Sequence, residues 1–112
     1  MKAITLRIFL ALYADDKDVK YHQLDIDSAY LTADVRRKTF ISLPARLRPK
    51  SHPPGSVYRL RKALYGGADS GRCFYDDYLQ WHLDLGFAQI PHEPCYLRFA
   101  RKDGSFIVIC FY

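Results

Sequence analysis

The chain has 112 residues, enough for one domain with a modest core and too few for two. A hydrophobic share of 49% and a charged share of 26% exclude a disordered tail, and the longest apolar run, Phe106 to Tyr112, is too short to span a bilayer. The net charge of +5 favours polyanionic partners, nucleic acid among them.

In chain order, Ile4, Ile8 and Leu12, with Leu6, Phe9 and Ala11, predict a first helix ending near Asp15–Asp16. The stretch lacks the small-residue cleavage site of a signal peptide, so it reads as a buried amphipathic helix. The segment Tyr21 to Ile26 reads as a strand, Ala29 to Asp34 as a helical turn and Thr39 to Leu43 as another strand. From Pro44 to Ser56 the chain is Pro-rich, basic and aperiodic, which reads as a surface loop. Val57 to Leu60 follows as a strand, with a turn at Gly66–Gly67.

The spacing of Phe74, Tyr78, Trp81 and Leu85 predicts a long helix over residues 71–85 with one apolar face. Asp69 or Ser70 supplies its N-cap, and Gly86 with Phe87 closes its C-terminus. Asp76 and Asp77 read as its exposed face. Two strands, Tyr96 to Ala100 and Ser105 to Tyr112, flank a turn at Lys102–Asp103–Gly104, and the second is apolar throughout, as in a central strand covered on both faces. The order of elements gives an α+β fold, an antiparallel sheet packed on helices.

Cys73, Cys95 and Cys110 are odd in number and far apart, which fits a reducing compartment better than a disulfide framework. His92 and Cys95 have a ligand-like spacing but no second pair, so no zinc site is expected. Basic residues cluster as Arg36, Arg37 and Lys38, as Arg46, Arg48 and Lys50, and as Arg59, Arg61 and Lys62, with Pro44, Pro49, Pro53 and Pro54 between them.

Asp25–Ile26–Asp27 offers chemistry. On a strand, residues two apart share a side, so both carboxylates could hold one divalent ion; if the strand ends at Asp25, only one faces the site. Oxygen ligands of this kind suit Mg²⁺ or Mn²⁺ and phosphoryl or glycosyl transfer. The string Tyr13–Ala14–Asp15–Asp16 imitates a polymerase Y-x-D-D turn, but it follows a helical pattern and reads as a helix C-terminus. Tyr65–Gly66–Gly67 is a turn ahead of a helix, where backbone amides can meet phosphate.

Together these stretches are more telling than any one of them. HQLDIDSAYL, His22 to Leu31, resembles the HQLDVKTAFLNG pattern of copia-type retrotransposon reverse transcriptases. YRLRKALYGGADSGRCFYDDYLQWHLDLGF resembles that family's C-x-L-x-K-S-L-Y-G-L-K-Q-A-P-R-x-W-Y and the helix after it. PHEPCYLRF resembles its D-P-C-L-Y segment, and FIVICFY the strand leading into Y-V-D-D. All four stand in the family's order.

The resemblance implies a right-hand polymerase palm with some of the fingers. It implies a single partial domain over residues 1–112, truncated at both ends, with Tyr112 as the Tyr of Y-x-D-D. Asp25 is then the first metal-binding aspartate, and the Ile26 carbonyl a second ligand to Mg²⁺ or Mn²⁺. The two metal ions of the full domain activate the primer 3′-hydroxyl and stabilise the leaving pyrophosphate. Ser28 and Ala29 offer backbone amides to the triphosphate, Tyr30 lies beneath the sugar and selects deoxynucleotides, and Tyr65 and Gly66 flank the incoming nucleotide.

Implied partners are an RNA template, a DNA primer, deoxynucleoside triphosphates and the rest of a polyprotein with fingers, thumb and RNase H. The implied location is a cytoplasmic virus-like particle or the nucleus, with neither membrane association nor secretion. Three departures stand out: Gly67 to Gly71 replaces LKQAP, Thr32–Ala33 replaces Asn-Gly, and Asp27 stands where the family often has Lys. With one of three catalytic aspartates present, the isolated chain is expected not to polymerise. A second reading is a non-catalytic nucleic-acid-binding remnant of a mobile element. A DxD glycosyltransferase fragment is more remote, lacking a nucleotide-sugar signature upstream.

Overall fold

The computed structural model describes residues 3–111. The chain divides into two compact units, one of residues up to Asp25 and from Gln80 onward, the other Ile26–Leu79. Helices and antiparallel sheets make the fold α+β. No helix among the described residues is long and apolar enough to cross a membrane.

The Ile26–Leu79 unit follows α1 (Ala3–Tyr13) in the chain and holds α2 (Ala29–Thr32), β1 (Phe40–Ser42), β2 (Val57–Arg59) and the first part of α3 (Ser70–Asp84). β1 and β2 pair antiparallel, Phe40 opposite Arg59 and Ser42 opposite Val57. The pairing continues below the ribbon through Leu60 N to Thr39 O, Val35 N to Arg61 O and Ala63 N to Ala33 O. That last bond sets two alanines side by side. Ala33, Ala63 and Cys73 form the unit's buried core, with Tyr30, Val35 and Phe74 packed around it. Small side chains here let the α3 backbone come close to the chain segments beneath it.

Three proline-led turns organise the 44–56 loop. Pro44 opens a 3₁₀ turn over Ala45–Leu47, Pro49 O accepts from His52 N, and Pro53 O accepts from Ser56 N. The last has Pro54 and Gly55 at its centre, Gly55 at φ 83°, the positions where a type II turn places proline and glycine.

The other unit holds α1, the last turn of α3 and a three-stranded sheet in the order β3–β4–β5, with β3 Ala88–Ile90, β4 Glu93–Ala100 and β5 Phe106–Cys110. α1 meets β4 through Phe9 and Tyr96, ring centroids 6.5 Å apart, and through Thr5 Oγ1, which donates to Glu93 Oε1 at 2.7 Å. Tyr13 reaches Phe106 of β5. Leu97 and Tyr96 are the largest fully buried side chains.

Several expectations need correction. Tyr21 to Ile26 is not a strand: the segment has no regular structure, and Leu24 is 91% exposed, so its alternation buries no face. The central strand is β4; β5 pairs with β4 alone among the described residues. β3 has little sequence signal, because it is three residues long and interrupted by a bulge at Gln89/Ile90. On α3 Trp81 is exposed, as is Leu85 just past its end, and the buried positions are Ser70, Cys73 and His82. Tyr112 lies outside the described residues.

Candidate functional site

Asp25 is exposed and closes the first stretch of one unit, whereas Ile26 opens the other. Among the described residues no three Asp, Glu, His or Cys side chains are gathered as a metal centre. Asp27, also exposed, lies in the turn that follows.

Ser28 adopts φ 55° and ψ 37°, a left-handed conformation that few non-glycine residues hold. This reversal turns the chain into α2, where Leu31 N bonds Ser28 O at 2.8 Å and Thr32 Oγ1 bonds Ala29 O at 2.6 Å. Tyr30, the second residue of α2, stands in contact with Tyr65, ring centroids 4.9 Å apart, and with Phe74 at 6.2 Å. The two stretches that hold the expected nucleotide-site residues thus meet at Tyr30 and Tyr65, within one unit.

Tyr65 and Gly66 sit in a turn closed by Gly67 N on Leu64 O at 3.0 Å, with Gly66 at φ 83°. A side chain at Gly67 would collide with Ser70 Oγ and crowd Leu64 O. Ser70 Oγ donates to the same Leu64 carbonyl at 2.6 Å. Asp69 takes the N-cap place of α3, since its carbonyl accepts from Cys73 N at 2.9 Å. This turn and the start of α3 wall a cleft of about 440 Å³, lined also by Arg37, Leu60 and Ala63. Arg37 Nε pairs with Asp69 Oδ2 at 3.0 Å at the cleft wall.

The sequence places Asp76 and Asp77 on the exposed face of α3, whereas both are half-buried and ion-paired, with Arg72 and Arg36 respectively. Asp77 accepts from the Arg36 guanidinium and from Asp34 N, which ties the 34–36 segment to the helix. Lys62 pairs with Asp34 at 2.8 Å and holds that carboxyl below the usual carboxylate range. The basic clusters at 36–38 and 59–62 were visible in the sequence; which acid each would meet depended on the ladder that brings Asp34 opposite Lys62.

A family profile described as Reverse transcriptase (RNA-dependent DNA polymerase) matches residues 1–112. The chain belongs to the copia-type reverse transcriptase family. It is similar to the Retrovirus-related Pol polyprotein from transposon RE1 of Arabidopsis thaliana, 32% identical over 96% of this chain and 7% of that polyprotein. The corresponding polyprotein from transposon RE2 of the same plant is 32% identical over 78% of this chain and 6% of its own length. The chain thus spans a small part of the length of these Pol polyproteins. No solved structure matches it.

Proposed function

We propose that the chain forms part of the palm and fingers of an RNA-directed DNA polymerase acting within a retrotransposon polyprotein. Its substrates are an RNA template, a DNA primer and deoxynucleoside triphosphates, and its partners are the remaining fingers, thumb and RNase H. It works in a virus-like particle in the cytoplasm or in the nucleus. The observation that carries this reading is the Tyr30–Tyr65 contact, which joins the HQLDIDSAYL and YRLRKALYGG stretches at one place.

In this reading Asp25 and the Ile26 carbonyl contribute to holding Mg²⁺ or Mn²⁺, which when bound supplies the charge that nucleotidyl transfer needs. Ser28 and Ala29 present backbone amides to the triphosphate. Tyr30, held between Tyr65 and Phe74, sets a ring under the sugar that excludes a 2′-hydroxyl. Tyr65 and Gly66 border the nucleotide at the cleft.

The test is a chimera: the RE1 polyprotein with its matching segment replaced by residues 1–112. Template-dependent primer extension by the chimera is the expected result. A folded chimera that binds primer–template and never extends it would overturn the reading.

A further inference from the structure

Charge is divided unevenly between the two units. The Ile26–Leu79 unit has ten Lys and Arg against five Asp, and so holds the whole net charge of +5; the rest of the chain has seven of each sign. Within that unit four of the five aspartates are already paired, Asp34 with Lys62, Asp69 with Arg37, Asp76 with Arg72 and Asp77 with Arg36. Lys38, Arg46, Arg48, Lys50, Arg59 and Arg61 remain, with no ion pair among the described residues. All six lie on the β1–β2 hairpin, its connecting loop or the residues that flank it.

We propose that this hairpin is a nucleic-acid phosphate-binding surface, with Arg46, Arg48 and Lys50 of the loop as its principal contacts. Unpaired cations attract phosphate and release counterions on binding, whereas cations already matched by a carboxylate gain less. The loop also presents them in a set form. Its proline-led turns fix the backbone at Pro44, Pro49 and Pro53, so little ordering entropy remains to be lost on binding. His52 stacks on Tyr58 of β2 at 5.5 Å, and His52 Nδ1 and Tyr58 Oη share a hydrogen bond at 2.9 Å, which pins the loop to its own ribbon. The surface binds by charge and backbone and reads no base sequence. The choice of nucleic acid over other polyanions rests on the polymerase reading above; the location of the contact rests on the charge distribution alone.

The experiment measures binding of the full 112-residue chain to a short fluorescein-labelled RNA–DNA hybrid by anisotropy, between about 50 and 200 mM salt. The variant R46Q/R48Q/K50Q is compared with the unaltered chain and with K17Q/K20Q/K102Q, which removes the same charge from the other unit; circular dichroism checks that each is folded. Losing three phosphate contacts makes the slope of log affinity against log salt shallower by about 2–3. The loop variant is expected to show that change with at least tenfold weaker binding at the lower salt, and R46K/R48K to bind as the unaltered chain does. Equal weakening by the two triple variants would overturn the proposal, as would a loop variant with unchanged affinity and slope. Tighter binding of the unaltered chain to phosphatidylserine vesicles than to the hybrid would also overturn it. None of these outcomes bears on whether the RE1 chimera extends a primer, so the two readings fail separately.

Discussion

Ser28 holds a backbone conformation that costs an L-residue about 1–2 kcal/mol, and it does so between Asp25 and Tyr30. The reversal lets α2 start at once, with Leu31 N on Ser28 O, and so directs Tyr30 toward Tyr65. A β-branched side chain tolerates a positive φ less well than serine. Ser28→Val is therefore expected to lower stability by about 1 kcal/mol in urea unfolding, while Ser28→Gly leaves it unchanged or higher. Equal stability of all three would show that this φ imposes no cost. The aromatic identity of Tyr30 was legible in the sequence through its motif. Its two ring partners were not, because Tyr65 and Phe74 come from distant stretches that only the fold brings near.

At the scale of elements, the end of α3 shows local signals at their most reliable. Gly86 takes φ 91°, its N–H bonds Leu83 O at 2.9 Å, and Phe87 N–H bonds His82 O at 3.0 Å, the paired bonds of a Schellman closure. Phe87 then packs edge-on against His82 and beside Phe99. A methyl group on Gly86 would press on the Phe99 ring at 3.3 Å in addition to straining the backbone. Gly86→Ala is expected to cost about 1 kcal/mol or more, read from the urea midpoint; a shift toward greater stability would contradict this account.

Gly86 and Phe87 could be read from sequence because helix closure involves neighbours in the chain. Strand rank could not. β5 is more apolar than β4, yet β4 lies in the middle of the sheet and buries Tyr96 and Leu97. The apolar run marked a strand and said nothing about its neighbours. Likewise the alternation at Tyr21 to Ile26 met no burial, and a pattern alone does not form a strand.

For the molecule as a whole, stability at alkaline pH is expected to depend on buried Tyr96 and half-buried Cys110 staying neutral. Burial, with the Cys110 thiol beside it, raises the Tyr96 hydroxyl well above its ordinary value of 10.0, and burial raises Cys110 above 9.0. Both are acids whose folded pKa exceeds the unfolded one. Their contribution is complete below the unfolded values and declines as pH rises from there toward the folded values. Urea midpoints are expected to fall from about pH 9 upward, with a smaller fall in Tyr96→Phe. An identical alkaline decline in that variant would remove Tyr96 from the explanation.

The family was legible in four motif stretches, and the coarse α+β class in the order of elements. The concentration of net charge in one unit was not, since the boundaries at Asp25 and Leu79 are properties of the fold. In the proposed function, Asp25 is the carboxylate through which this chain serves polymerisation. The most direct measurement is template-dependent primer extension by the RE1 chimera carrying Asp25→Asn, beside the same chimera unaltered and one carrying Asp27→Asn. Loss of extension to background in Asp25→Asn, with activity kept in Asp27→Asn, is the predicted result. Extension by Asp25→Asn at a rate close to the unaltered chimera would contradict the claim.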